Sequence, residues 1–180
     1  MTGFHLNFSY MKHQLILLYY WLVRVLLYFL PDHRAIMRFR GWLYSVAMPH
    51  VGCNFQVAHN VIIVSAEGMT VGNNVYFAHG CVIIADKDVK IGNDVMFGPL
   101  CILACGNHVL KNGSYRWSED VYAPIVVGDG SWIGGSSVLV PGACLPPKSV
   151  LAANSTLTKD FYYEESGIYA GSPAKRIKGN

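Results

Sequence analysis

The chain reads as a mainly β protein, a parallel β-helix built from six-residue units. Aliphatic or aromatic anchors recur every sixth position: Val51, Val57, Ile63; Val71, Phe77, Ile83; Ile91, Phe97, Leu103; and, after an interruption, Val127, Ile133, Leu139, Leu145, Leu151 and Leu157. Whole segments recur as well. VGCNFQVA from Val51, VGNNVYFA from Val71 and IGNDVMFG from Ile91 start 20 residues apart, and VGDGSWIG from Val127 repeats their pattern. The residue after each anchor is usually small (Gly52, Ala58, Gly72, Ala78, Gly92, Gly98), and the one four after it is small or β-branched (Val61, Val75, Cys81, Val95, Cys101, Ser131, Ser137). A helix would recur at three and four, and a hairpin sheet would alternate over longer runs. A six-residue unit with one large inward side chain suits a short strand and a tight corner, and three units close a triangular coil. Gly, with Asn73, Asn74 and Asn93, is expected to supply left-handed backbone at the corners. A single coil cannot bury its own core, so coils must stack.

Residues 1–50 precede the repeats as a helical, apolar segment. Within it, residues 15–30 (LILLYYWLVRVLLYFL) are apolar apart from Arg24. These 16 residues fall short of the roughly 20 that a spanning helix needs. Pro31-Asp32 follows, where a secretory signal would place small residues for cleavage. Two readings stay open: a helix packed on the core or on a neighbouring subunit, and an in-plane membrane helix aided by Lys12, Arg24, Arg34, Arg38 and Arg40. Residues 51–160 carry the β-helix, each early coil being three hexapeptides plus two extra residues at a corner. Within CGNHVLKNGSYRWSEDVYAP the period is lost, and beyond Pro124 it resumes in register, so residues 106–124 are an inserted loop. Its aromatic Tyr115, Trp117 and Tyr122 are expected to pack on an acceptor or a neighbouring subunit. Residues 161–180 form a short C-terminal extension.

Composition narrows the function classes. A chain of 180 residues suffices for one domain with a sizeable core. Charged residues make up only 14%, below the roughly 25% of an average soluble domain, so much surface is buried between subunits or meets a membrane. The net charge of +3 is dispersed, which argues against a nucleic-acid partner. Five cysteines without a C-x-x-C pair read as small buried thiols in a reducing cytosol. The expected location is cytoplasmic, at the inner face of the membrane if residues 15–30 lie in it.

PIVVGDGSWIGGSSVLVPGACLPPKSVLAANSTLTKD, followed by YAGSPAKRIKG, resembles the sugar O-acetyltransferases related to galactoside and maltose acetyltransferase, members of the hexapeptide-repeat superfamily. The resemblance spans about residues 71–178. It implies a left-handed β-helix, a homotrimer with active sites between subunits, and acetyl-CoA as co-substrate with no metal required. It also implies that His108, at the root of the inserted loop, is the catalytic base. A neutral imidazole there can accept a sugar hydroxyl's proton as the oxygen attacks the thioester, then return it to the departing thiolate. Asp86 falls on an acceptor-contacting aspartate of that family. An acceptor-contacting asparagine is replaced by Ala78, with His79 beside it, which leaves the acceptor's identity open. His59 and His79 are expected to stack on one outer face, with His79 and Trp117 as candidate acceptor contacts. For the donor, Trp132 matches a tryptophan beside the pantetheine arm. Gly135 replaces a serine near the thioester and leaves only its backbone N–H to help an oxyanion. Ala153, Thr158 and Lys159 match positions lining the coenzyme A site, and Lys175 and Lys178 match phosphate-binding positions, with Arg176 as an alternative.

The function so implied is acetyl transfer to a sugar hydroxyl. The unusual N-terminal segment resembles enzymes of surface-polysaccharide biosynthesis. Acetylation of an amino sugar and a non-catalytic trimeric scaffold are the alternatives. A γ-type carbonic anhydrase needs three histidines around zinc, and the loop offers only His108. A sugar-nucleotide transferase needs an N-terminal nucleotide domain that 50 residues cannot hold.

Overall fold

The computed structural model describes residues 8–118, 120–159 and 166–179. The boundary between β-helix and extension at residues 160/161 lies outside them. The repeat forms stacked coils of three short strands each. The first coil holds β1 (His50–Val51), β2 (Gln56–Val57) and β3 (Ile62–Ser65), and the second β4 (Met69–Val71), β5 (Tyr76–Phe77) and β6 (Val82–Ile84). The third holds β7 (Val89–Ile91), β8 (Met96–Phe97) and β9 (Ile102–Ala104). A hairpin, β10 (Gly106–His108) and β11 (Asp120–Tyr122), interrupts the solenoid. It resumes with β12 (Ile125–Val127), β13 (Trp132–Ile133) and β14 (Val138–Leu139), then β15 (Cys144–Leu145), β16 (Val150–Leu151) and β17 (Thr156–Leu157). The C-terminal segment adds β18 (Ile168–Gly171) and β19 (Ala174–Lys178).

Each coil gives one strand to each of three sheets. The first sheet runs β1-β4-β7-β12-β15, and the third runs β3-β6-β9-β14-β17. The second runs β2-β5-β8-β13-β16 and continues through β18 and β19, so the C-terminal segment extends the solenoid. The anchors fill the interior: Val57, Phe77, Phe97, Ile133 and Leu151 are all fully buried. The Phe77 ring meets Phe55 and Phe97 edge-on, at centroid distances of 5.3 and 4.8 Å. At the small positions, buried Ser131 donates to the Pro146 carbonyl and accepts from the Ser149 N–H. The buried thiols of Cys81 and Cys101 each meet a carbonyl oxygen at 3.2 Å. These buried polar groups are thereby paired from coil to coil.

The corners correct part of the sequence reading. Positive φ falls on Asn54, Asn74 and Asp94, not on Asn73 or Asn93. Asn73 and Asn93 instead make a ladder of side-chain oxygens. Asn73 Oδ1 accepts from Cys53 N at 2.8 Å, Asn93 Oδ1 from Asn73 N at 2.9 Å, and Asp129 Oδ1 from Asn93 N at 2.7 Å. Gly72 is required by proximity, since a Cβ there would lie 2.6 Å from the carbonyl carbon of Gly92 in the next coil.

Helices α1 (Phe8–Leu27) and α2 (Arg34–Ser45) precede the coils. α1 packs on β3 and α2 on β2, so both stack on the first coil. α1 starts before the apolar run and ends three residues short of its last residue. Its inner side buries Tyr20 and Val23, with Ile16, Tyr19 and Leu27 against the core. Arg40 is only 2% exposed and is not one of the surface cations. Its guanidinium donates to Asp32, to the Leu30 carbonyl just past the end of α1 and to the Val57 carbonyl of β2, tying the helical segment to the first coil. No helix among the described residues is long and apolar enough to cross a membrane.

Candidate active site

The early coils carry their two extra residues at the corner between the third and first sheets, and the hairpin is inserted at that same corner. β10 and β11 pair antiparallel with His108 opposite Asp120, which puts both side chains on one face. His108 Nδ1 lies 2.8 Å from Asp120 Oδ1. With Nδ1–H donating to the carboxylate, the tautomer is fixed and the Nε2 lone pair is left for chemistry. The imidazole is 64% exposed, open to a substrate. Val109 N–H donates to Ser118 Oγ at 3.3 Å, and Ser118 donates to the Tyr115 carbonyl at 3.0 Å, bracing the loop. The Tyr122 hydroxyl donates to Asp120 Oδ2 at 3.3 Å. Burial, and the charges of Asp86 and Asp120, push the Tyr122 phenol up to about 12, so it stays a donor. Asp120 escaped the sequence reading. Its one signal was the antiparallel register of 106–108 with 120–122, which the hexapeptide period does not contain.

Asp86 stands beside this hairpin. It lines a cavity of about 470 Å³ with Lys12, His13, Glu67, Lys87 and Tyr122. His13 Nδ1 lies 2.7 Å from Glu67 Oε1, and Lys87 Nζ is 5.0 Å from the centre of the Tyr122 ring. Trp117 occupies the hairpin tip, 77% exposed, with the Arg116 guanidinium 5.0 Å from its ring centre. His79 is not part of this group. It sits at the corner between the second and third sheets, its ring 5.1 Å from that of His59. Asp32 Oδ2 reaches His59 Nδ1 at 2.9 Å and His79 Nε2 at 3.3 Å. Burial alone would raise the Asp32 carboxyl, but hydrogen bonds from His59 and Arg40 outweigh it and hold it below its ordinary value.

Among the described residues, two groups have donor atoms close enough for a metal ion: Asp32, His59 and His79, and His13, Glu67 and Asp86. In each, a carboxylate already accepts from protein donors. Asp32 accepts from Arg40 and from the His59 N–H, and Glu67 from the Ala66 N–H.

The candidate donor residues lie elsewhere. Trp132, 47% exposed, is in the outward row of the second sheet, between Met96 and Val150. Ile168 and Lys178 extend that row. At the next corner His79, Pro99, Gly135 and Ala153 form a column, joined by bonds of 2.8–2.9 Å from Leu100 N to His79 O, Ser136 N to Pro99 O and Asn154 N to Gly135 O. A Cβ on Gly135 would lie 3.1 Å from the Pro99 carbonyl oxygen. Among the described residues, none accepts from the Gly135 N–H. Thr158 and Lys159 belong to the corner between the third and first sheets, and the buried Thr158 hydroxyl has no described partner. Lys175 is exposed on β19, whereas Arg176 donates to the Ser166 carbonyl at 3.1 and 3.3 Å. A single chain thus carries His108 and Asp86 at one edge of the third sheet, and Gly135 and Ala153 at the other, with Trp132 on the adjoining face.

No family model matches the sequence. A Saccharomyces cerevisiae protein named as an acetyltransferase is 38% identical over 55 residues, 31% of this chain. A Lysinibacillus sphaericus protein named as a macrolide acetyltransferase is 42% identical over 53 residues, 29% of this chain. These matches span only 27% and 28% of the two relatives' own lengths. Likeness to solved structures extends much further. A Vibrio cholerae hexapeptide-repeat acetyltransferase, solved with acetyl coenzyme A, superposes with a TM-score of 0.78 at 21% identity, covering 99% of this chain and 94% of that one. A Clostridium difficile maltose O-acetyltransferase gives 0.76 at 21% identity, covering 93% and 87%. A Bacillus cereus N-acyltransferase, in complex with dTDP and coenzyme A, gives 0.56 at 16% identity, covering 77% and 88%. The chain therefore has the left-handed β-helix fold of the hexapeptide-repeat acetyltransferases.

Proposed function

We propose that the protein transfers an acetyl group from acetyl-CoA to a hydroxyl of a sugar, with His108 as general base. The observation that carries this reading is the His108–Asp120 pair, which leaves Nε2 available on a hairpin whose Tyr122, bonded to Asp120, lines a polar cavity. Nε2 takes the hydroxyl proton as the oxygen attacks the thioester carbonyl, and the imidazolium returns it to the thiolate of coenzyme A. Asp86 and its charged neighbours suit the many hydroxyls of a glycan. Trp132 would flank the pantetheine arm, the Gly135 N–H would face the thioester oxygen, Ala153 and Thr158 would line the arm, and Lys159, Lys175 and Lys178 would meet phosphates. The exposed indole fits such a ligand.

The reading needs more than one copy, because the two groups of residues lie at opposite edges of the third sheet. That sheet's outward row is aliphatic over four strands, Ile62, Val82, Ile102 and Val138 standing side by side, and ends in Thr156. Burying this row head-to-tail would close a threefold ring and set the hairpin of one copy against the Gly135 corner of the next. Trp117 and the corner residue His79 would then meet across the cleft. We place the enzyme in the cytoplasm, in the synthesis of surface polysaccharide. The test is an acetyl-CoA assay over hydroxyl and amino acceptors with wild type and His108→Ala. Transfer to hydroxyls that collapses in the variant supports the proposal. Near-normal turnover without His108, or transfer to amines alone, overturns it.

A further inference from the structure

We infer that the outward face of α1 docks on the surface of an anionic lipid bilayer. α1 is apolar on both sides. One side is packed on the first coil; the other exposes Leu15, Leu18, Trp21, Leu22, Val25 and Leu26, spaced three and four apart. Phe29, just past the helix, continues the stripe at 89% exposure. A surface helix ordinarily turns charge outward, so a helix apolar all round signals a second apolar environment. At 1.5 Å per residue the stripe from Leu15 to Leu26 is about 17 Å long, which suits a helix lying in the interface rather than crossing it.

Charge identifies the occupant. The first 50 residues hold five Lys/Arg and a single carboxylate, Asp32, whereas the rest of the chain holds nine Lys/Arg and ten Asp/Glu. Asp32 is consumed by Arg40 and His59. Lys12, Arg24 and Arg34 have no ion-pair partner among the described residues. Pairing this face with the same face of another copy would bring Arg24 and Arg34 against their like, since the acids near α1, Glu67 and Asp86, line the cavity beside Lys12 and His13. Anionic headgroups supply the opposite charge, and the lipid boundary takes the apolar stripe. In the trimer proposed above, the three α1 helices would share one end of the assembly. The next copy would adjoin the edge of the stripe where Val25 and Phe29 line a groove with Ile62, leaving Leu15, Leu18, Leu22 and Leu26 for the bilayer. Docking itself does not depend on the catalytic reading. Lys12 and His13 of the same helix line the cavity beside Asp86, so a docked enzyme would have that cavity close to the bilayer.

Flotation of the full chain with vesicles of phosphatidylcholine alone, or mixed with phosphatidylglycerol, tests this. Wild type should float with the mixed vesicles, and raised salt should weaken binding. Leu22→Glu/Leu26→Glu should cut the bound fraction about tenfold or more, and Arg24→Gln/Arg34→Gln should cut it less. Both should keep the wild-type assembly size and coenzyme A affinity. Wild type that stays with the soluble fraction at low salt overturns the inference. So does a Leu22→Glu/Leu26→Glu variant that binds vesicles normally, or one that falls to a smaller assembly, since then a second copy covers the stripe. Coenzyme A affinity on the same samples reports separately on the catalytic reading.

Discussion

His108 and Asp120 face each other across the hairpin, with Nδ1 and Oδ1 2.8 Å apart. In the proposed mechanism Asp120 would act by holding the imidazole. His108→Ala should lower kcat by about 10²–10⁴-fold. Asp120→Asn should lower kcat by a smaller factor and leave the KM for acetyl-CoA unchanged. In the double variant, loss of Asp120 should add nothing to loss of His108. Additive losses would show that Asp120 acts independently of the base.

If the active site is shared between copies, two defective variants can repair each other. Co-refolding His108→Ala with a variant crippled at the donor corner, such as Gly135→Trp, should give mixed trimers that retain some intact clefts. Acetyl transfer should then exceed that of either variant alone. No recovery from assembled mixtures would mean that both groups of residues act from one chain.

Trp132→Ala should raise the KM for acetyl-CoA about tenfold, as expected for losing one aromatic contact worth about 1–1.5 kcal/mol. Its side chain is half exposed, so the melting temperature should hardly move. Donor titrations and thermal melts on the same preparation separate the two effects.

The carboxyl of Asp32 is held below its ordinary value in the folded chain. Its contribution to stability is therefore fully present above the unfolded Asp pKa and is lost as pH falls through the folded value. Melting temperature measured against pH should drop on the acid side, and Asp32→Asn should flatten that limb. Arg40→Met, which leaves Asp32 without its buried partner, should cost about 3–5 kcal/mol at neutral pH. A neutral Arg40→Met would show that the guanidinium is dispensable to the helical cap.

The coils were legible because a β-helix writes its geometry into a short local period. Each anchor from Val51 to Leu157 and each small position four later needed only counting. Asn73 and Asn93 were misassigned because their side chains serve the adjacent coil, 20 or more residues away, while their neighbours take the strained backbone. Arg40 read as a surface cation because nothing local announces the carbonyls gathered around it. Asp120 depends on a strand register closed across an aperiodic turn. His79 and Asp86 were grouped as acceptor contacts, yet one chain holds them at different corners. Whether they meet depends on how copies assemble, which no local pattern in the sequence displays.

The corner that bears the hairpin tolerates several chain lengths. It holds two extra residues in the first two coils, the hairpin after the third, and a shorter connection between β14 and β15. The strands on either side keep their pairing throughout, with Ile125 beside Val89 as Val89 is beside Met69. A loop at this position can thus be exchanged wholesale without retuning the coils. Loop identity and foldability are separable in this architecture, and grafting a different hairpin between Cys105 and Ile125 would test whether that loop sets the acceptor of the proposed transferase.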